Sequence, residues 1–253
     1  MKKEGLGEIL KFSFKSASQQ PIIIVPVIFI ALTFLSSALF TVLAFISVGM
    51  SISVNEVGLP ALNASGNILT IFVIIELIIL AATIALSAYF GIGLFSMAKE
   101  IDSGKKTNLK TMTKYGKKFF WRYIGVYAVV GLILIAAFTV AVLLSSLGNS
   151  LFGALTLGSN VFNAIISLTW ILFAVLFAFA PYYLITQDKN IISSVKKSFE
   201  IVKKEYPLAL GLIATFYVLS YLFNFIPFIG GILSLLLVPV KVLAYMRFAL
   251  SRR

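Results

Sequence analysis

Two periodicities alternate along this chain. The clearest example is the stretch IISSVKKSFEIVKKEYP, Ile191 to Pro207. Its apolar residues Ile192, Val195, Phe199, Val202 and Tyr206 step by three or four, the spacing that gathers side chains on one face of a helix. Lys196, Lys197, Glu200, Lys203 and Lys204 occupy the other face. Pro207 follows, and then an uncharged run too long for a soluble core helix. The pattern predicts a basic amphipathic helix lying on a membrane surface and feeding a span.

The same unit recurs. Near the N-terminus Leu6, Ile9, Leu10, Phe14 and Ala17 make an apolar stripe, with Glu4, Glu8, Lys11 and Lys15 elsewhere and Phe12 off the face. Pro21 then opens an apolar run. In the middle of the chain, Leu109, Met112, Gly116, Phe119, Phe120 and Tyr123 share one face, and Lys110, Lys114, Lys117 and Lys118 another. Apolar runs of span length are expected at about 21–48, 68–98, 121–147, 161–186, 207–225 and 229–249, since a spanning helix needs ~20 apolar residues. The expected fold is therefore all-α: one polytopic membrane domain over 1–253, with six transmembrane helices and three interfacial amphipathic helices. It reads as three repeats of a surface helix plus two spans. Ser13-Phe14 and Ser198-Phe199 correspond between the outer copies if one residue is gapped before the proline. The runs beginning at Pro21 and Ile68 exceed the ~20 residues of a span, so those helices either tilt or project beyond the bilayer.

Charge then fixes an expected orientation. All 21 lysines and arginines fall into four segments: before Pro21, from Lys99 to Arg122, from Lys189 to Lys204, and from Lys241 onward. The three intervening polar connections carry none. Positively charged loops stay in the cytoplasm, which places both termini and all three basic helices on that side of the cell membrane. No short apolar core with a small-residue cleavage site follows MKKEGLGEIL, so no signal peptide is expected.

Composition narrows the function classes. The chain is 60% hydrophobic and 12% charged, about half the charge of an ordinary soluble domain. A net charge of +12 would suggest nucleic acid in a soluble protein. Beside a bilayer the lysines find anionic headgroups instead, so Lys110, Lys114, Lys117, Lys118, Lys196, Lys197, Lys203 and Lys204 are the expected lipid-headgroup contacts. Cysteine and histidine are both absent, which removes His-paired nucleophiles and the usual zinc ligand sets. No cofactor or metal site is expected, and the chain does not read as an enzyme. Asn63-Ala64-Ser65 is an N-glycosylation pattern on the expected outer side.

Polar residues inside the apolar runs are the remaining candidates. Glu76 is the one acidic residue within such a run, and an intramembrane carboxylate is by default a functional hypothesis. It lies either within the bilayer or at its outer edge. Lys241 either snorkels to the cytoplasmic interface or pairs with Glu76. Asn163 suits a helix–helix hydrogen bond. Thr83, Ser87 and Gly91, at four-residue spacing, suit close helix packing. Pro26, Pro181 and Pro239 mark kinks or breaks.

The segment APYYLITQDKNIISSVKKSFEIVKKEYP, Ala180 to Pro207, resembles the hallmark of a family of uncharacterised archaeal and bacterial membrane proteins. Those are similar to the membrane domain found beside some glycerophosphodiester phosphodiesterases. GLFSMAKEIDSGKKTNLKTMTKYGKKFF, Gly93 to Phe120, is similar in layout. The resemblance implies six helices with interfacial connectors. It does not imply phosphodiesterase activity, and it brings no binding residues. Two function classes follow: a non-enzymatic accessory, scaffold or lipid-interface protein with a membrane protein partner, or a transporter of a small or lipid-like solute using Glu76, Asn163 and Lys241.

Overall fold

A computed structural model of the chain describes residues 4–55, 64–152, 172–226 and 229–252. The elements among them are helices, with no strand. In chain order they are α1 (Leu6–Gln19), a 3-10 turn (Pro21–Ile24), α2 (Val25–Asn55), α3 (Ala64–Asp102), α4 (Leu109–Phe152), α5 (Ala180–Gln187), α6 (Ile191–Lys204), α7 (Tyr206–Asn224) and α8 (Gly230–Ser251). The apolar stretch Leu172–Gln187 contains α5 and a preceding helical turn.

Five helical segments are long and apolar enough to cross a membrane: Pro21–Val42, Val73–Asp102, Leu109–Val140, Tyr206–Asn224 and Gly230–Ser251. Large apolar side chains face outward along them, among them Leu35, Ile78, Leu132, Ile135 and Tyr217. On a water-soluble surface contiguous patches of this kind are rare; on a membrane protein they are the lipid-facing wall. The chain is a helical membrane protein. Of the expected fourth span, 161–171 falls outside the described residues. The described remainder, Leu172–Gln187, is apolar but short and broken.

That break has a local cause. Pro181 has no backbone N–H to donate, and its ring clashes with the preceding turn. The backbone through 176–179 tightens into i→i+3 bonds, such as Ala178 N–H to Val175 C=O and Ala180 N–H to Phe177 C=O. Two carbonyls freed by this shift are capped from outside the helix. Ser198 Oγ donates to Leu176 C=O at 2.8 Å, and Tyr206 Oη donates to Leu172 C=O at 2.7 Å. Buried carbonyls without partners would cost roughly 1–3 kcal/mol each.

The middle basic stretch differs from expectation. Residues from Leu109 onward are the first turns of α4, continuous with the span over 44 residues, rather than a separate surface helix. Proline explains the difference. The outer copies have Pro21 and Pro207 at the helix–span junction, which stop the hydrogen-bond ladder. Phe119-Phe120-Trp121-Arg122 offers no such stop. By contrast α6 ends at Glu205 (φ −114°, ψ 30°), and α7 starts with Pro207 in its first turn.

The buried core lies toward the end where α1, α6, the start of α4 and the C-terminal ends of α3, α5 and α8 meet. Ile9, Ile92, Met97, Phe119, Phe179, Tyr183, Val202, Leu243 and Phe248 are among its fully buried members. α1 packs on α8, the start of α4 on α3, and α6 on α5 and α4. The two amphipathic helices turn partly different faces inward from those their apolar stripes indicate. On α1 the buried residues are Ile9, Ser13 and Ser16, while Phe14 is half exposed. On α6, Ser194 and Ser198 are fully buried and Ile192 is 75% exposed. Small hydroxyls let these helices approach their neighbours closely, and those of Ser13, Ser194 and Ser198 each find a carbonyl, as Ser13 Oγ does at Ile9 C=O (2.8 Å).

Candidate functional site

Few charges are available to this chain, and the structure gathers most of its described acids at the basic end. Arg247, near the end of α8, forms a fork with Glu4: Nε donates to one carboxylate oxygen at 2.9 Å and Nη2 to the other. Its Nη1 donates to Asp102 Oδ1 at 3.0 Å. The guanidinium also stacks 4.5 Å from the Phe12 ring centroid. Arg252 Nη2 donates to the Glu4 carbonyl at 2.7 Å, and Arg252 lies 3.8 Å from Glu205. One hub thus ties the approach to α1, the end of α3, the α6–α7 corner and the end of α8. Planar guanidinium forks suit such partly buried pairs because two parallel bonds fix the geometry.

A second cluster sits between α4 and the α5–α6 corner. Asp188 adopts a left-handed backbone (φ 50°), which turns the chain sharply from α5 into α6. Its carboxylate accepts from Lys118 Nζ and from Arg122 Nη1, the latter at 3.0 Å. The Lys118 hydrogen bond, aided by the charges of Lys118, Arg122 and Lys99, holds the Asp188 carboxyl below the ordinary aspartate range. Lys99 Nζ donates to Ile185 C=O at 2.8 Å, placing a cation at the C-terminus of α5, where the helix dipole favours one. The α3–α4 connection has a comparable turn: Gly104 is left-handed (φ 73°), and Asn108 Oδ1 caps α4 by accepting Thr111 N–H at 3.0 Å.

Beside the second cluster opens a groove of about 690 Å³, lined by Arg122 and Val129 of α4 and by Asn190, Ile191, Ile192, Ser193 and Lys196 of the α6 start. Ile191 reaches α4 at Gly125, where a Cβ would collide with its terminal methyl. Trp121 is 78% exposed next to the groove's Arg122.

The expected headgroup lysines distribute as follows. Lys110, Lys114, Lys117, Lys203 and Lys204 are exposed, and Lys197 is half-buried. Lys118 is engaged with Asp188, and Lys196 lies 3.9 Å from Glu200. Lys203 also lies over the Phe199 ring.

Glu76 and Lys241 are not brought together. Thr41 Oγ1 of α2 donates to Glu76 Oε2 of α3 at 3.1 Å, while Glu76 Oε1 is buried with no hydrogen-bond partner. Lys241 is exposed, and its ammonium lies 5.7 Å from the centroid of the Tyr245 ring, one turn toward the charged hub. Arg247 and Asp102 join α8 to α3 at that hub. Glu76 lies 26 residues before Asp102 and Lys241 six before Arg247, which separates them by about 30 Å along the helices at 1.5 Å per residue. A Glu76–Lys241 pair is therefore not formed. Asn163 falls outside the described residues, as does Asn63 of the glycosylation pattern.

Sequence reasoning did not single out Glu4, Asp102, Asp188, Glu205, Arg247 or Arg252 as partners. A signal was present: the chain has only nine acids, and these four lie beside helix ends, where a lone carboxylate needs a cation from another element.

No curated protein and no solved structure matches this chain, and no named relative supports the likeness to the membrane domains of glycerophosphodiester phosphodiesterases. One family model matches residues 6–251, nearly the whole chain, under the description "Domain of unknown function (DUF7847)". The chain belongs to that family, DUF7847.

Proposed function

We propose that this protein is a multi-pass component of the cell membrane, one domain of six spans with both termini in the cytoplasm. It acts without catalysis, as a lipid-interface or scaffold protein that assembles with lipid and with a membrane protein partner. One observation carries the reading. Every described ion pair lies at the basic end, while described side chains farther along α2, α3 and α4, such as Leu35, Ile78, Leu132 and Ile135, are apolar and face outward. That segregation matches a bilayer with an anionic cytoplasmic face.

The threefold reading of the chain gains support from packing. α1 packs on α8, the start of α4 on α3, and α6 on α5. Each basic segment thus rests against another element of the apolar part of the chain. The left-handed residues Gly104 and Asp188 recur at the two internal span-to-helix corners.

Native mass spectrometry of the protein in a patch of its own membrane tests the reading. Retained phospholipid or a stoichiometric second polypeptide is the expected result. A retained small hydrophilic solute with neither would overturn it in favour of transport. The partnerless Glu76 Oε1 is the observation that favours this second reading. Transport would also show as a solute-dependent thermal shift that Glu76→Gln abolishes.

A further inference from the structure

We infer that the groove between α4 and the start of α6 binds one phospholipid with a net negative headgroup, the phosphate held by Arg122 and Lys196 and an acyl chain lying along Val129, Ile191 and Ile192. The inference rests on the membrane-interface reading above and adds to it a specific site.

The groove offers both kinds of group that an anionic lipid needs. Its lining combines a guanidinium, an ammonium and the polar groups of Asn190 and Ser193 with the aliphatic side chains of Val129, Ile191 and Ile192. Its volume, about 690 Å³, is of the order that takes a headgroup and the upper part of a chain, since small-molecule sites run to roughly 300–1,000 Å³. Arg122 spends one nitrogen on Asp188, and its remaining donors are available to a phosphate oxygen, for which a planar fork is well shaped. The Lys196–Glu200 contact is long and exposed, so Lys196 exchanges that partner readily.

The surroundings favour an anion and a lipid rather than a free ion. Lys118 and Lys189 add positive charge nearby, against Asp188 and Glu200. Ile192 is 75% exposed at the groove edge. An isoleucine so exposed beside charged residues is explained by contact with acyl chains. Trp121 beside Arg122 is 78% exposed, as interfacial tryptophans are when they sit at headgroup level.

The test uses the full chain in a neutral detergent, titrated with phosphatidylglycerol, phosphatidylcholine or inorganic phosphate, with bound lipid counted by native mass spectrometry. Wild type should retain one phosphatidylglycerol in preference to phosphatidylcholine, undisplaced by phosphate. Arg122→Gln with Lys196→Gln should lower that affinity roughly 30-fold, the contribution expected of two cations beside an anionic headgroup. Lys105→Gln with Lys106→Gln, an equal loss of exposed charge in the α3–α4 connection, should change it less than threefold. Val129→Trp, which fills the groove without touching charge, should also lose the lipid. Equal loss in both double variants, with Val129→Trp unaffected, would overturn the site while leaving the interface reading intact. Absence of any anionic preference in wild type would overturn both, and displacement by phosphate would mark an anion site without a lipid. Unchanged far-UV circular dichroism in each variant keeps a folding defect from passing as lost binding.

Discussion

Arg247 and Glu4 lie 243 residues apart in sequence and meet as a two-pronged ion pair. Both side chains are about four-fifths buried, so the pair is shielded from the screening that weakens exposed ones. Arg247→Ala would remove the cation that Glu4 and Asp102 share. It should lower unfolding stability by about 3–5 kcal/mol, the usual cost of breaking a buried pair from one side. Arg247→Lys should recover only part of this, because an ammonium does not reproduce the fork. Denaturant titration in detergent micelles measures both. Equal stability of the alanine variant and wild type would show that the hub does not hold the helices together.

Asp188 gives a pH dependence with a definite sign. Its carboxyl titrates below the ordinary range in the folded protein because Lys118 binds the ionised form. A depressed folded value means the contribution is present above the unfolded value, about 3.9, and fades as pH falls through the folded value. Stability should therefore be indifferent to this group between pH 5 and 7, above its unfolded value, and decline below about pH 4. Asp188 is nearly half exposed, so the effect should stay under about 1 kcal/mol. Comparing thermal midpoints of wild type and Asp188→Asn across that range should show the two curves converging in acid.

Gly116 marks a close approach of α4 to α3. A Cβ there would lie 2.7 Å from Tyr89 Cε2, well inside contact distance. Gly→Ala inside a helix ordinarily gains close to 1 kcal/mol, while overpacking costs about 1–3 kcal/mol. Gly116→Ala should thus be destabilising in the wild type and stabilising when Tyr89 is also alanine. A double-mutant cycle reads the change of sign. The same sign in both backgrounds would mean that the ring moves aside freely.

Topology is tested by single cysteines, which the native chain lacks. Ser103→Cys and Lys189→Cys, both at exposed positions, should react with an impermeant maleimide only in inside-out vesicles. Ser51→Cys and Asn149→Cys should react in intact cells. Ser194 faces the right end but is fully buried, so a cysteine there would stay silent for a reason unrelated to sidedness. Labelling of Lys189→Cys in intact cells would refute the orientation.

Five of the six expected span-length runs and the basic end were legible because each is a property of composition over many residues. Pro21 and Pro207 marked the ends of α1 and α6 correctly, since proline acts locally wherever it sits. The continuous α4 was not legible from its face pattern, because amphipathicity describes a helix surface and says nothing about where the helix stops. Faces misled at Phe14 and Ile192 for a related reason. In a membrane an exposed apolar residue meets lipid at no cost, while a serine on the inner face permits close packing. Hydropathy therefore loses its power to tell inside from outside. The Arg247 hub and the cap from Tyr206 to Leu172 depend on three-dimensional proximity that no local pattern encodes.

The contact between α1 and α8 carries a consequence for synthesis. Glu4 leaves the ribosome 243 residues before Arg247, an interval of roughly 12–50 s at 5–20 residues per second. Throughout it α1 lacks its main docking partner, α8, and its exposed Phe14 and flanking lysines suit it to wait against the headgroups. Docking of α1 on α8 is then a late step, available only once α8 has been inserted. Any delay in that insertion prolongs the life of an open intermediate, with the buried serines of α1 uncovered and the carboxylate of Glu4 unpaired with Arg247.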